Sequence, residues 1–301
     1  MISSLNPNTQ QFLNDLNQIS DSMQQAQNQV TTGLKVSQVS DQPDIISSLL
    51  STRASLSTSQ QISSNLGQIK TEVDSGEQAL QSAVTLFDQV QTLGASGVTS
   101  TSTAATNATL AQQAGGVLQE MVGLADTNEG GRYIFAGDSD QQEPYTVDLT
   151  QTPPVSAYQG SAATRVAQHP DGSTFAVSLT AQTIFDSSDP TTNVFSAITN
   201  LQTALANNDT TAIEAANAGL SKIGDYLNQQ LAFYGNVQDK VAQATDYAST
   251  QQTQLQTQIA SLQDADLTSS ILTLNQDQTQ EQAALQSEAR IPRTTLFDFL
   301  A

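Results

Sequence analysis

In the opening segment the apolar side chains Leu5, Phe12, Leu16, Ile19, Met23, Ala26 and Val30 follow a first step of seven with alternating steps of four and three. Gln, Asn, Ser and Asp fill the positions between them. This is the repeat of a coiled-coil seam, and it predicts a helix with one thin apolar stripe. Near the other end Val237, Val241, Ala244, Ala248, Gln251, Leu255, Gln258 and Leu262 keep the same rhythm, with glutamine at two seam positions. The step of five from Leu262 to Leu267 breaks the phase around Asp264-Ala265-Asp266. Leu267, Ile271, Leu274 and Leu285 then carry a new stripe onward. A phase slip of this kind predicts a bend or a change of partner.

Prolines divide the chain: Pro7 and Pro43 bracket the first segment, Pro144, Pro153, Pro154, Pro170 and Pro190 crowd the middle, and Pro292 stands alone. The proline-free stretches 44–143 and 191–291 permit long helices, because the main interior breaker is missing. Helices are expected over 44–96, with Asp44 as N-cap, and over 104–126, with a loop starting at Gly94-Ala95-Ser96-Gly97. Shorter helical pieces are expected over 191–235, broken at Asn207-Asn208-Asp209 and at Gly235. The span 133–195 holds seven of the fifteen aromatic residues beside turn signals such as Pro170-Asp171-Gly172. Within it Arg132-Tyr133-Ile134-Phe135 and Phe175-Ala176-Val177-Ser178-Leu179 read as strands, with Gly130-Gly131 ending a helix before the first.

The fold class is therefore mainly α with a small β-rich insertion: an elongated, nested helical bundle or coiled coil formed by the N- and C-terminal segments. A domain interrupted by an insertion pairs its first half with its last. The expected domains are 1–43 with 264–301, 44–132 with 191–263, and the insertion 133–190.

Composition narrows the functions. The 301 residues carry 9 Lys+Arg against 29 Asp+Glu, a formal charge of -20, with no basic cluster. Such a chain repels phosphate backbones, so neither nucleic acid nor an anionic membrane is expected as a partner. No apolar run is long enough to span a bilayer. Surface polarity comes from 41 Gln, 33 Ser and 36 Thr, and the absence of Cys removes disulfides, thiolate zinc sites and thiol nucleophiles. The start, Met1 to Gln10, lacks the basic and apolar regions of a cleavable secretory signal, so action outside the cell would need another route.

Catalytic chemistry is sparse. The one imidazole, His169, sits before the turn Pro170-Asp171-Gly172 and builds neither a triad nor a metal site. Asp138, Asp140 and Glu143 lack the remaining ligands of a calcium loop and read as a solvated loop. Gly115-Gly116 is no phosphate cradle, and Asp264 and Asp266 read as helix caps at the phase slip. No catalytic residue, cofactor or metal is expected, and the chain is not read as an enzyme.

The terminal stripes remain. Leu5, Phe12, Leu16, Ile19, Met23 and Val30 at one end, and Leu267, Ile271, Leu274, Leu285, Leu296, Phe297, Phe299 and Leu300 at the other, form the candidate polymerisation interface. Two thin amphipathic ends bury little against each other, so neighbouring copies are expected to complete the burial and to order the ends. Glutamines 251 and 258 would let a subunit accept slightly different neighbours.

Gln29-Val30-Thr31-Thr32-Gly33-Leu34-Lys35-Val36 with Ser40-Asp41-Gln42-Pro43 resembles the segment after the first helix in bacterial flagellins and their relatives. The run Leu124 to Gly137, with Arg132-Tyr133-Ile134-Phe135-Ala136-Gly137, looks like the signature of the hook-filament junction family, the hook-associated proteins 3. Leu296-Phe297-Asp298-Phe299-Leu300 is similar to that family's ending. The resemblance implies an extracellular structural protein of the flagellum that leaves uncleaved through the flagellar type III export apparatus with an export chaperone. It would self-associate in a helical ring or tube between a neighbouring hook-associated protein and flagellin. It further implies an inner coiled-coil tube of terminal helices, a second helical layer, and the insertion outermost. Alternative readings are a flagellin filament subunit, and a secreted helical binding or adhesin-like module that recognises its target through the aromatic insertion.

Overall fold

The computed structural model describes residues 7–38, 41–99 and 102–289. Among these the elements run α1 (Pro7–Thr32), α2 (Pro43–Gly97), α3 (Ala104–Ala125), β1 (Asn128–Glu129), β2 (Arg132–Tyr133), β3 (Val166–Gln168) and β4 (Thr174–Ala176). They continue as α4 (Ala181–Phe185), α5 (Val194–Ala206), α6 (Thr210–Gln263) and α7 (Leu267–Ala289). The fold is mainly α with a small strand-bearing insertion. Two compact units are formed, one by the described residues up to Thr58 together with those from Gln251 on, the other by Ser59–Thr250.

In the larger unit α2 and α6 run antiparallel, and glycines set how closely they approach. Gly94 lies against Asn217, whose Nδ2 donates to the Gly94 carbonyl at 2.8 Å. A Cβ on Gly94 would stand 1.9 Å from Asn217 Oδ1, and one on Gly76 would stand 2.5 Å from the Tyr234 ring. Gly97 faces Leu205 in the same way. The loop expected from Gly94-Ala95-Ser96-Gly97 is therefore not there: α2 stays helical to Gly97, and its glycines mark close packing instead of a chain break. Nor does Gly235 break α6, because buried Tyr234 and Val237 on either side hold the core face continuous through it.

Other boundaries follow ordinary capping. Pro43 opens α2, so Asp44 falls in the first turn and is not the N-cap; Pro suits that opening position because its missing N–H has no intrahelical partner to lose. Thr103 caps α3 by accepting from Thr106 N, and Asp209 caps α6 by accepting from Ala212 N. The expected break at Asn207-Asn208-Asp209 is present, with Asn208 in the left-handed region at φ 51°. α3 packs on α5, and Leu80, Phe87, Leu118, Met121, Ile198, Leu201 and Leu227 belong to one continuous core.

Between α3 and α5 the strands are only two or three residues long. Gly130 and Gly131, at φ +61° and +84°, join β1 to β2. Positive φ at both central positions makes this a type I′ hairpin turn, so these glycines do not end α3, which has already stopped at Ala125. The insertion is held mainly by aromatic packing. Phe135 meets Phe185 and Tyr234 edge to face, Phe185 stacks on Phe195, and Tyr145 contacts Phe195 and Tyr158. Charge adds a second tie. Arg165 reaches Glu72 of α2 at 2.7 Å, and Arg132 donates to Asp140. Asp140 is thus ion-paired, not simply solvated, and the hydrogen bond from Gln141, with Arg132 and Arg165 nearby, lowers its pKa.

The junction-like run has a plain physical role here. Ile134, Phe135 and Ala136 are buried, and Gly137 turns at φ +64° with the Ser161 and Ala163 carbonyls 2.3 and 2.6 Å from where its Cβ would be. Gly137→Ala is expected to cost about 2–5 kcal/mol, combining left-handed strain with overpacking against backbone. Thermal unfolding of the larger unit measures it, and an unchanged midpoint would contradict this reading of the run.

Candidate functional site: the terminal helix pair

The smaller unit begins with a chain reversal. α1 ends at Gly33, whose φ of +73° places it in the left-handed cap conformation, with Gly33 N donating to Gln29 O at 2.8 Å. Leu34 then bridges to Asp264, Ala265 N donates to Gly33 O, and Lys35 N to Gln263 O. Lys35 Nζ also reaches Ser261 O at 3.0 Å, and Val36 is buried. Asp41 ties the adjoining loop by accepting from Ser37 N and Gln38 N, and those backbone bonds lower its pKa. The flagellin-like segment is therefore a clasp that fixes the end of α1 against the α6–α7 break. Asp266 caps α7 by accepting from Thr268 N and Ser269 N, as expected for the phase slip.

Held there, α1 and α7 pack antiparallel, and Ser270 Oγ of α7 donates to Gln29 Oε1 of α1 at 2.8 Å. The stripe of α1 faces this contact, with Ala26 buried and Phe12, Leu16, Ile19, Met23 and Val30 partly buried. The facing side of α7 is a different matter. Its most covered side chains are polar, Ser270 at 5% and Asp277 at 8% exposure, whereas Leu267, Ile271 and Leu285 remain 46%, 47% and 50% exposed. At about 100° per residue, the apolar stripe of α7 lies roughly 80° around the helix from the face that α1 covers. Leu274, half-buried, sits between the two faces.

The predicted interface residues thus divide. Phe12, Leu16, Ile19, Met23 and Val30 come together on α1, while Leu267, Ile271 and Leu285 form a separate, uncovered stripe with Leu274 at its edge. Leu5, Leu296, Phe297, Phe299 and Leu300 lie outside the described residues. Gln258 is exposed and only Gln251 is partly buried, so an adaptable seam built on both glutamines does not exist in this unit. Sequence reasoning missed Asp277 and Ser270, since polar residues seven apart attract no notice until the partner helix is placed over them.

A polar cleft of about 390 Å³ lies beside α1, lined by residues such as Asp21, Asn28, Lys35 and Asp41. Among the described residues no three His, Asp or Glu converge on a metal position, and no helix is long and apolar enough to cross a membrane. His169 lies 2.9 Å from Asp171 and against the Tyr247 ring. Among the described residues the carboxylate with the largest shift is Asp126, after α3. Burial, with Glu143 nearby, raises its pKa to about 6, although its Oδ1 accepts from Tyr145 N at 3.0 Å.

No known family pattern and no curated protein sequence matches the chain. Its fold, however, is similar to that of solved flagellar proteins. A flagellar hook-associated protein of Vibrio parahaemolyticus superposes with TM-score 0.65 at 16% identity, over 74% of this chain and 100% of that one. Flagellar hook-associated protein-3 of Legionella pneumophila gives 0.62 at 11% identity, over 70% and 98%. FlgL of Bacillus cereus gives 0.57 at 20% identity, over 69% and 98%.

Because the folded pKa of Asp126 lies above its unfolded value of 3.8, the folded state holds a proton more tightly between roughly pH 4 and 6. Stability contributed by that proton is present at low pH and lost as pH rises through about 6. Asp126→Asn keeps an acceptor for Tyr145 N and removes the charge. Thermal melts from pH 4 to 8 should show the variant more stable than wild type above pH 6, with the difference closing toward pH 4; parallel curves would contradict the assignment.

Proposed function

We propose that this chain is a structural subunit of the bacterial flagellum, polymerising at the hook-filament junction between the hook-associated zone and the flagellin filament. The observation that carries the reading is the terminal pair. α1 and α7 bury polar Ser270 and Asp277 between them and leave Leu267, Ile271 and Leu285 half exposed. An apolar stripe beside an incomplete helix pair is what self-association through neighbouring helices would cover. The fold shared with hook-associated proteins supports the flagellar setting.

In this reading residues 1–43 and 264–301 form the inner coiled-coil tube, with Leu5, Leu296, Phe297, Phe299 and Leu300 in the same interface as the described stripes. Residues 44–132 with 191–263 form the surrounding helical layer, and 133–190 the outer part. The subunit acts outside the cell, carried there by an export chaperone and the type III apparatus, and meets a hook-associated protein on one side and flagellin on the other. An adhesin-like module fits less well, because the aromatics that would make its recognition surface, Phe135, Tyr145, Phe185 and Phe195, are buried in the core.

Leu16→Asp and Ile19→Asp put a carboxylate into the α1 seam of the smaller unit. Each should weaken self-association at least about thirtyfold, the effect of losing one contact of about 2 kcal/mol, while the melting of the larger unit is unchanged. Sedimentation and thermal melts of wild type and variants read the two quantities. Equal association of variant and wild type, or a wild type that stays monomeric, would contradict the reading.

A further inference from the structure

Between α2 and α3 the larger unit carries a trough that no described residue fills. Two hollows of about 640 and 620 Å³ adjoin there and share Thr85 and Glu120, so together they follow the helix pair for about three turns. The floor is apolar: Val117 is buried, and Leu86, Leu93 and Leu124 pack on the core with part of each side chain left uncovered. Gly116 and Gly123 line the trough on the α3 side. A Cβ at either would meet nothing within 4 Å, and neither has a positive φ. Neither internal packing nor backbone conformation therefore calls for glycine at these positions, in contrast to Gly76 and Gly94 on α2. Glycine inside a helix is destabilising relative to alanine, and what these two leave is room for a second helix to approach closely.

Charge indicates what kind of helix. Asp88 and Glu120 stand exposed at the edges of the trough, and neither carboxylate has a hydrogen bond or ion pair among the described residues. From Glu72 to Gly131 the sequence holds seven acidic residues and no Lys or Arg. At a formal charge of -20 a second copy of the chain is repelled, and α1 and α7 contain no basic residue to meet these edges. We propose that the trough receives an amphipathic helix of a different protein, which lays small or aliphatic side chains on the floor and brings Lys or Arg to Asp88 and Glu120. This is helix-in-groove recognition, with apolar contact supplying affinity and the edge charges selecting the partner. The surface belongs to the larger unit and uses none of the terminal stripe residues, so it stands whether or not the chain self-associates.

Fluorescence anisotropy on the full chain tests it with two labelled helical peptides of the same Ala/Leu pattern, one flanked by lysines and the other by glutamates. The lysine peptide should bind saturably, and the glutamate peptide at least about tenfold more weakly. G116L/G123L fills the trough with good helix formers. Its melting midpoint should equal or exceed that of wild type, while its affinity for the lysine peptide falls at least about tenfold. D88K/E120K should reverse the preference between the two peptides. Binding of the lysine peptide that survives G116L/G123L would be diffuse attraction to an acidic surface and would overturn the proposal, as would no binding or equal binding of both peptides. If G116L/G123L instead lowers self-association in sedimentation and leaves peptide binding unchanged, the occupant is a second copy and the proposal fails.

Discussion

The pairing of α1 with α7 sets the terms for everything else in the smaller unit. Two helices of this composition can offer each other one thin face apiece, and here α7 offers the wrong one. Ser270 and Asp277 go inward, while the leucine and isoleucine stripe turns about a quarter of the way round to solvent. Ordering each residue costs roughly 1–2 kcal/mol, and a fully buried aliphatic or aromatic side chain contributes about 1.5–3 kcal/mol. Along the α1 seam only Ala26 is well buried, so the pair is weakly held by its own packing. Its register is fixed instead by the clasp at Gly33, Leu34 and Asp264.

The larger unit is built on the opposite principle. Its core is continuous from Ile62 to Ala244, with buried leucines, isoleucines and aromatics from α2, α3, α5 and α6. Glycines at 76 and 94 let α2 meet Tyr234 and Asn217 of α6 at distances no Cβ would allow. The insertion joins this core through Phe135, Phe185 and Phe195 instead of forming a sheet of its own. A well-packed unit and a thinly packed one in the same chain are consistent with the proposed self-association through the smaller unit.

Much of this was legible in the amino-acid pattern. The alternating three- and four-residue steps located α1 and the later part of α6, and the five-residue step at Leu262 located the α6–α7 break. Asn208 and Asp209 were readable as a helix break because Asn tolerates the left-handed region and Asp caps the next helix. Glycine was the unreliable sign. Gly94, Gly97 and Gly235 look like breakers in one dimension, yet in three they are places where α2 and α6 pass close or simply continue. The aromatic insertion suggested an exposed recognition surface only because burial is invisible in sequence. At the interface itself the α1 stripe was foreseeable, but the rotation of α7 was not, since it depends on the clasp that orients the helix.

Hydrogen exchange on the full chain, free and assembled, reaches the central claim most directly. In the free chain the amides of α1 and α7 should exchange far faster than those of α2 and α6 in the larger unit, and assembly should slow them to comparable rates. Strong protection of α1 and α7 in the free chain, unchanged on assembly, would mean the pair is complete by itself and would contradict that claim.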